Sequence, residues 1–247
     1  MSVSPVVALR SLLFDLFFYL WTTLYCLAIL PAYPFVGAPA MRRIARVWQR
    51  SILLALRVIV GLSYEVRGRE RLPSGPVILA SKHQSAWETL AFHVLVPEVA
   101  VCLKEELTRI PVFGWYLMRA GSIRIDRGAA ARAIRSLVAG ARRSVALGLA
   151  VQIYPEGTRR DLGDPPDYKP GVVALYNALD LPVVPVALNS GLFWPRHGLI
   201  RRPGRVLVEF LPPIPAGLDR KLFMRELQQA IETGTARLIA ETQANRG

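Results

Sequence analysis

The chain contains few of the side chains that build metal and redox centres. Its 247 residues include two cysteines and three histidines, and neither a His-Glu-x-x-His pattern nor a closely spaced cysteine pair occurs. We therefore expect no metal site and no resident cofactor. Cys26 lies in an apolar run and Cys102 in a predicted strand, so two buried free thiols are expected rather than a disulfide.

Two loops that commonly mark an enzyme are also missing. The sequence has no Gly-x-Ser-x-Gly turn to present a nucleophilic serine, and neither cysteine has a convincing base near it. It has no Gly-x-x-x-x-Gly-Lys loop either, which argues against a nucleotide hydrolase. If the chain is an enzyme, a bound substrate should make the attack directly.

Acidic residues are scarce relative to basic ones. The chain has 18 Asp and Glu against 31 Lys and Arg, a net charge of +13, which favours anionic partners such as nucleic acid, acidic lipid or phosphorylated substrates. No nucleic-acid module or stacking platform is recognisable, so nucleic acid is not expected as a partner. With 52% hydrophobic residues, the chain can bury one main core and carry an appendage.

The N-terminal part lacks charge over a long stretch. Leu16 to Met41 contains no charged residue, which predicts a membrane-embedded segment that Pro31 and Pro34 interrupt. The uninterrupted part, Leu16 to Leu30, would be about 22 Å long as a helix, shorter than a hydrocarbon core of roughly 30 Å. This length favours a segment that enters the membrane and returns, and it leaves a spanning helix open.

A basic stripe follows the apolar segment. On one helix it would occupy an arc of about 100°, and its members are Arg42, Arg43, Arg46, Arg50 and Arg57. The stripe predicts an interfacial helix that meets anionic lipid; the alternative is a solvated face on a helix packed against the domain. The positive-inside tendency places the rest of the chain in the cytoplasm, at a bacterial inner membrane. We predict a membrane segment at 1–62 and a catalytic domain at 63–247.

Beyond residue 62, short β-rich runs alternate with helical ones. Predicted strands are Tyr64 to Arg67, Val77 to Ala80, Val99 to Leu103, Ser122 to Ile125, Ala150 to Tyr154, Val183 to Leu188 and Arg205 to Leu211. Predicted helices are Ser85 to Val96, Val112 to Arg119, Ala129 to Leu147, Val172 to Leu179 and Arg220 to Gln243. This alternation predicts an α/β fold with a mostly parallel sheet flanked by helices. Functional residues should then gather at the carboxyl ends of strands.

Three blocks of sequence carry a family resemblance. They are Lys82 to Glu88, Gly121 to Arg127 and Tyr154 to Arg159. In this order and spacing they resemble the motifs of the glycerolipid acyltransferases that acylate lysophosphatidic acid, and the resemblance extends over Ser63 to Val186. The family usually has Asp where this chain has Glu88. The resemblance implies transfer of an acyl chain from a thioester to the sn-2 hydroxyl of lysophosphatidic acid, which gives phosphatidic acid.

His83 is the predicted general base. It directly follows the apolar stretch Val77 to Ala80, where a strand should end and a helix begin. A glycerol hydroxyl is a poor nucleophile at neutral pH, and a neutral imidazole is suited to accept its proton. His93 lies among apolar residues and is expected in the core or a groove, whereas His197 is expected in a solvated loop.

The resemblance implies that Glu88, at the position of the family's Asp, orients His83. If it accepts a hydrogen bond from one ring nitrogen, the other stays free as a base. Positions five apart on a regular helix point about 140° apart, so this contact requires His83 to lie before the first helical turn. An alternative is a capping box, in which Ser85 caps the helix and Glu88 accepts from the Ser85 amide. The two roles can coexist.

The run Tyr154 to Arg159 contains the predicted phosphate site. Arg159 offers a planar fork to phosphate oxygens, and Gly157 allows a tight turn that brings amides toward the same anion. Taken alone, Glu-Gly-Thr-Arg would be an ordinary turn with an exposed ion pair; the resemblance assigns it to acceptor binding. The predicted substrate-binding residues are Glu156, Gly157, Thr158, Arg159, Lys104 and Arg127.

Two of these residues, Glu156 and Lys104, have alternative roles. Glu156 is expected to hold Arg159 or another basic group, or to contact an acceptor hydroxyl. Lys104 would face the thioester oxyanion or bind phosphate, and otherwise is a surface lysine. Arg127 is a second phosphate candidate.

The sequence thus predicts a membrane-associated O-acyltransferase. Its expected partners are an acyl-CoA or acyl carrier protein donor, a lysophosphatidic acid acceptor and an anionic membrane surface. The same motifs also suit another acceptor, such as glycerol 3-phosphate, another lysophospholipid or an acylated amino acid of the lyso-ornithine type. A hypothesis of a different class is a catalytically silent membrane scaffold, for which Glu88 in place of Asp is the sequence hint.

Overall fold

The computed structural model describes residues 4–126 and 130–245, which form seven strands and eight α-helices in these ranges. The strands are β1 (Leu62–Arg67), β2 (Ile78–Ser81), β3 (Val99–Lys104), β4 (Ile123–Ile125), β5 (Ala150–Ile153), β6 (Val183–Leu188) and β7 (Gly204–Phe210). The α-helices are α1 (Pro5–Ile29), α2 (Ala38–Ala55), α3 (Phe92–Leu95), α4 (Glu105–Thr108), α5 (Phe113–Arg119), α6 (Ala130–Ala146), α7 (Pro170–Leu179) and α8 (Arg220–Ala244).

All seven strands join one sheet in the order β1-β7-β6-β2-β5-β3-β4. Every neighbouring pair is parallel except β6 and β7. The three central strands β6, β2 and β5 are buried along their whole length, as apolar strands covered on both faces should be. The predicted mostly parallel α/β sheet flanked by helices is confirmed.

Each face of the sheet carries its own hydrophobic core. On one face, α1 and α2 contribute Phe14, Trp48 and Ile52 to a cluster that includes Val184 and Phe210 of the sheet. The other face is covered by α6, α7 and α8, which supply buried apolar side chains to a second cluster. The N-terminal helices therefore share a core with the segment that follows residue 62. The boundary at that residue stays a prediction.

Helix α1 begins at Pro5, eleven residues before the charge-free run. Its 25 residues correspond to about 37 Å at 1.5 Å per residue, and a 3-10 turn extends it through Phe35. The combined segment is long and apolar enough to cross a membrane, and little of it is buried inside the protein. The charged Arg10 and Asp15 do not end the helix, because arginine has good helical propensity and Asp15 has an ion-pair partner.

One partner is Arg201, which ties α1 to the loop after β6. Its guanidinium pairs with Asp15 at 2.5 Å and lies over the rings of Trp194 and Phe14, at 4.3 and 5.0 Å from their centroids. The Arg201 amide donates to the Ser11 hydroxyl at 2.9 Å. A charge buried to this extent needs such partners, so the loop and the helix hold each other in place.

The basic stripe was predicted either to meet anionic lipid or to lie on a helix packed against the domain, and its arginines divide between these two environments. Arg42 and Arg46 turn inward, and both pair with Glu98 at 2.9 and 3.4 Å. Arg43 and Arg50 of α2 are exposed, and so is Arg57, which lies in the π-helical turn Leu56–Val60 after α2. Part of the stripe thus fixes the helix against the domain, and part of it faces outward.

The helix expected over Ser85 to Val96 is replaced by an irregular loop, a 3-10 turn at Glu88–Leu90 and the single turn of α3. The cause is the Glu88 side chain, which accepts hydrogen bonds from backbone amides of the loop.

Both cysteines are free: Cys102 is buried, which raises the pKa of its thiol to about 12, and Cys26 is half-buried.

The shared core leads to a stability prediction. Ile52 of α2 is fully buried, whereas Leu54 two positions later is 59% exposed. Ile52→Ala should lower the free energy of unfolding by about 2–5 kcal/mol because it opens a cavity. Leu54→Ala should change it by about 0.5 kcal/mol or less. Thermal unfolding in detergent micelles measures both, and equal effects would show that α2 does not pack into the core.

Candidate functional site

Three adjacent strands end at one edge of the sheet and supply the site. Strand β2 lies between β6 and β5, parallel to both, with Ser81 paired to Val186 and Ala80 paired to Ile153. Because parallel strands bring their carboxyl ends to one edge, the residues that follow β2, β5 and β6 meet there.

His83 and Glu88 form a hydrogen-bonded pair at this edge. Nδ1 of His83 lies 2.9 Å from Oε1 of Glu88. The Glu88 side chain is fully buried and that of His83 is 12% exposed. An ionised carboxylate only accepts hydrogen bonds, so the pair places the imidazole proton on Nδ1 and leaves Nε2 with a free lone pair. His83 lies before the first helical turn, as this contact requires.

The Glu88 carboxylate also organises the loop around it. Its Oε1 accepts from the amides of Gln84 and Ser85, both at 2.7 Å, and its Oε2 accepts from the Ser190 hydroxyl at 2.8 Å. The Ser85 hydroxyl in turn accepts from the amide of Trp87 at 3.1 Å. Contact with the histidine and contact with the Ser85 amide therefore coexist. Ser190 was not predicted, because it follows a different strand and no local pattern links it to Glu88.

A tyrosine supports the imidazole from one side. The rings of His83 and Tyr154 stack with centroids 3.8 Å apart and planes within 13°. Burial raises the pKa of Tyr154 well above its usual value, with a smaller contribution from the Glu88 charge. The Tyr154 hydroxyl has no hydrogen-bond partner among residues 4–126 and 130–245. The tyrosine is therefore neutral and holds the histidine ring by packing.

Glu156 is buried under the loop that carries His83. Its Oε1 accepts from Nζ of Lys82 at 2.8 Å and its Oε2 from the His83 amide at 3.1 Å. The pKa of Glu156 is raised, because the effect of burial is larger than the opposing effect of the Lys82 ammonium. Lys82 also pairs with Glu232 of α8 at 2.8 Å, and Glu232 accepts from the Tyr168 hydroxyl at 2.9 Å. Glu156 thus holds a basic group, Lys82, rather than Arg159. The network also contains Lys82 and Glu232, which sequence analysis missed.

The next residues form the turn predicted to bind phosphate. Gly157 has a φ of +66°, which favours glycine, and its amide donates to the Tyr154 carbonyl at 2.9 Å. Thr158 and Arg159 are partly buried. Within the described part of the chain, Arg159 has no ion-pair or hydrogen-bond partner. Its guanidinium is therefore available to an anion that enters the site.

The other predicted binding residues are less closely tied to the site. Lys104 ends β3, which is separated from β2 by β5, and its side chain is exposed. Within the described ranges, its side chain makes no hydrogen bond or ion pair with His83 or Arg159. Arg127 lies outside the described residues. Both assignments stay predictions.

The two remaining histidines are poorly suited to act as a base here. His93 is buried, and burial lowers the pKa of its imidazole to about 4, with additional effects from the charges of Arg46 and Arg42. His197 is exposed in a loop. In the part of the chain that the structure describes, no group of three or more His, Cys, Asp or Glu side chains could hold a metal ion.

Comparison with known proteins gives consistent matches. A family model described as Acyltransferase matches residues 63–189. The chain is 35% identical to a 1-acyl-sn-glycerol-3-phosphate acyltransferase of Pseudomonas aeruginosa, over 97% of this chain and 93% of that protein. It is 29% identical to a protein of the same name from Saccharomyces cerevisiae, over 64% of this chain and 54% of that protein.

A solved structure also resembles this fold. The 1-acyl-sn-glycerophosphate (LPA) acyltransferase PlsC from Thermotoga maritima superposes with a TM-score of 0.74, over 93% of this chain and 97% of that one. The sequences are 20% identical, so this similarity concerns the fold alone.

The buried carboxylate gives a prediction for Ser190. Ser190→Ala removes the donor to Oε2 of Glu88 and leaves that buried oxygen without it, which should lower the free energy of unfolding by about 1–3 kcal/mol. Ser63→Ala is the matched control, because the Ser63 hydroxyl donates to the Gly204 carbonyl in a partly buried position. Denaturant titration measures both. Ser190 has no special place in the site if its substitution costs no more than the control.

Proposed function

Because the chain belongs to the acyltransferase family and is an O-acyltransferase of phospholipid biosynthesis, we propose that it acylates lysophosphatidic acid to give phosphatidic acid. The relatives that carry the name 1-acyl-sn-glycerol-3-phosphate acyltransferase support this acceptor. The observation that carries the proposal is the His83 and Glu88 pair, with its 2.9 Å contact at Nδ1, which leaves Nε2 as the nitrogen that can accept a proton. This pair is suited to take a proton from an alcohol.

The proposed reaction is a direct attack. Nε2 of His83 accepts the proton of the sn-2 hydroxyl as its oxygen bonds to the carbonyl carbon of an acyl thioester. The carbon–sulfur bond then breaks, and the departing thiolate takes the proton from the imidazolium. Glu88 stabilises the imidazolium between these steps and keeps its Nδ1 proton in place. The donor is an acyl-CoA or an acyl carrier protein thioester.

Arg159 is the proposed partner of the acceptor's phosphate. It is partly buried, follows the turn at Gly157 and has no protein partner within the described residues. A guanidinium can give two parallel hydrogen bonds to a phosphate. Glycerol 3-phosphate and other lysophospholipids carry the same group, so turnover with a panel of acceptors distinguishes among them.

We also infer that the enzyme sits on a membrane, facing the cytoplasm of a bacterial inner membrane. Leucines on the outer side of α1 are exposed, and exposed arginines lie on α2. A lysophospholipid resides in a bilayer, so an apolar surface beside basic residues suits its delivery.

Activity of His83→Ala tests the reaction. With lysophosphatidic acid and an acyl thioester in mixed micelles, kcat should fall by about 10²–10⁴-fold because the base is lost. Glu88→Gln should also lower kcat, since the amide cannot stabilise an imidazolium. His197→Ala, which changes an exposed histidine, should behave like the wild type.

Two results would contradict this assignment. Turnover retained in His83→Ala would remove the histidine from the mechanism. A wild-type enzyme inactive toward lysophosphatidic acid with either donor would exclude this acceptor, and inactivity toward the whole acceptor panel would favour the silent scaffold.

Flotation with anionic vesicles tests the membrane inference. The variant Leu16→Ser/Leu20→Ser changes two exposed residues of α1 and should reduce the vesicle-bound fraction, because each loses apolar area buried in lipid. Leu147→Ser/Leu199→Ser, at leucines elsewhere that are even more exposed, is the control. Equal binding of the two variants would rule out α1 as the contact.

A further inference from the structure

A cavity of about 330 Å³ lies beside the proposed site and is lined by three arginines, Arg160, Arg196 and Arg202. Its wall includes Gln84, which directly follows His83, and Gly191, which follows Ser190. The volume is at the lower end of the range found for small-molecule sites. Such a cavity can take a charged part of a substrate, but not a large substrate as a whole.

The charge in this cavity is largely uncompensated. Within residues 4–126 and 130–245, the guanidinium groups of Arg196 and Arg202 have no acidic partner. Arg160 pairs with Asp167 through one terminal nitrogen, and its Nε is buried without a hydrogen-bond partner in the same ranges. Asp161 is the acidic residue of the lining. Three guanidinium groups against two carboxylates, Asp161 of the lining and the Asp167 partner of Arg160, leave a net positive charge that favours an anion.

The cavity is joined to the site by direct hydrogen bonds. The Arg160 amide donates to the His83 carbonyl at 2.8 Å. Across the opening, the Gly191 amide donates to Oε1 of Gln84 at 3.1 Å. A Cβ on Gly191 would come within 3.1 Å of the Gln84 Cβ, so the two walls are in close contact. An anion held here lies beside the loop that carries the base.

The arginine-bearing rim is held by the fold. Arg202 follows Arg201, the residue that is clamped between α1 and Trp194, and its own amide donates to the Phe193 carbonyl at 2.8 Å. A preorganised rim binds an anion without first ordering a loop.

We propose that this cavity binds the phosphate groups of a phosphopantetheine thioester, the acyl donor. The inference rests on the proposed function, which requires a thioester next to His83. Arg159, the proposed partner of the acceptor's phosphate, does not line the cavity, so the arginines here form a second anion site. Both candidate donors, acyl-CoA and acyl carrier protein, carry a phosphate on the pantetheine arm, and this group is the shared ligand.

Initial-rate kinetics of Arg196→Gln/Arg202→Gln tests the proposal. The Michaelis constant for acyl-CoA should rise about tenfold or more, because two charge-assisted contacts are lost, while that for lysophosphatidic acid stays within about twofold of wild type. Arg159→Gln should give the opposite pattern. Arg225→Gln, an exposed arginine of α8 on the other face of the sheet, is the control. The same series with acyl carrier protein thioester identifies which donor uses the site.

Binding of free coenzyme A, measured by calorimetry, separates this inference from the proposed function. Coenzyme A binding that weakens in the double variant supports the cavity even if the wild type fails to acylate lysophosphatidic acid. An acyl carrier protein reaction that alone is impaired in the double variant supports the site for that donor. A rise only in the Michaelis constant for lysophosphatidic acid overturns the donor assignment. Donor constants and coenzyme A affinity no more affected than in Arg225→Gln also overturn it.

Discussion

The buried carboxylate of Glu88 is the constraint around which the site is arranged. A fully buried charge is unfavourable unless it is paired and hydrogen-bonded, and Glu88 accepts from His83, two backbone amides and Ser190. These donors come from the loop after β2 and from the turn after β6. The carboxylate is satisfied only when both strands are in register, so correct assembly of the sheet and correct orientation of the imidazole are coupled.

A second buried network, formed by Lys82, Glu156 and Glu232, holds the same loop. Lys82 lies between Glu156 and Glu232, which join the end of β5 to α8. The residue before the histidine is therefore fixed to one neighbouring strand and to the last helix, while Glu88 is fixed to the other neighbouring strand. Catalytic loops are often mobile, but hydrogen bonds of this kind hold the loop at several separate points.

The central strands β2, β5 and β6 could be predicted because each is a short, largely apolar run, and burial on both faces imposes that composition. The position of His83 followed from the end of one such run. Its pairing with Glu88 came from the family resemblance, with the added requirement that the histidine precede the helix. The prediction of a helix over Ser85 to Val96 was wrong, because helical periodicity does not reveal a side chain that competes for backbone amides. Ser190 and Glu232 could not be found, since they are separated from their partners by 102 and 150 residues.

The contacts of Arg201 with α1 limit how this enzyme could be engineered. Because Asp15 and Phe14 of α1 complete the surroundings of a buried guanidinium, the first helix is a structural part of the loop that follows β6, and not an exchangeable tether. Replacing it with an unrelated transmembrane anchor would leave the guanidinium without its acid and one of its aromatic faces. A chimera would have to reproduce both at matching positions along the new helix. This requirement limits helix replacement as a route to a soluble or retargeted form.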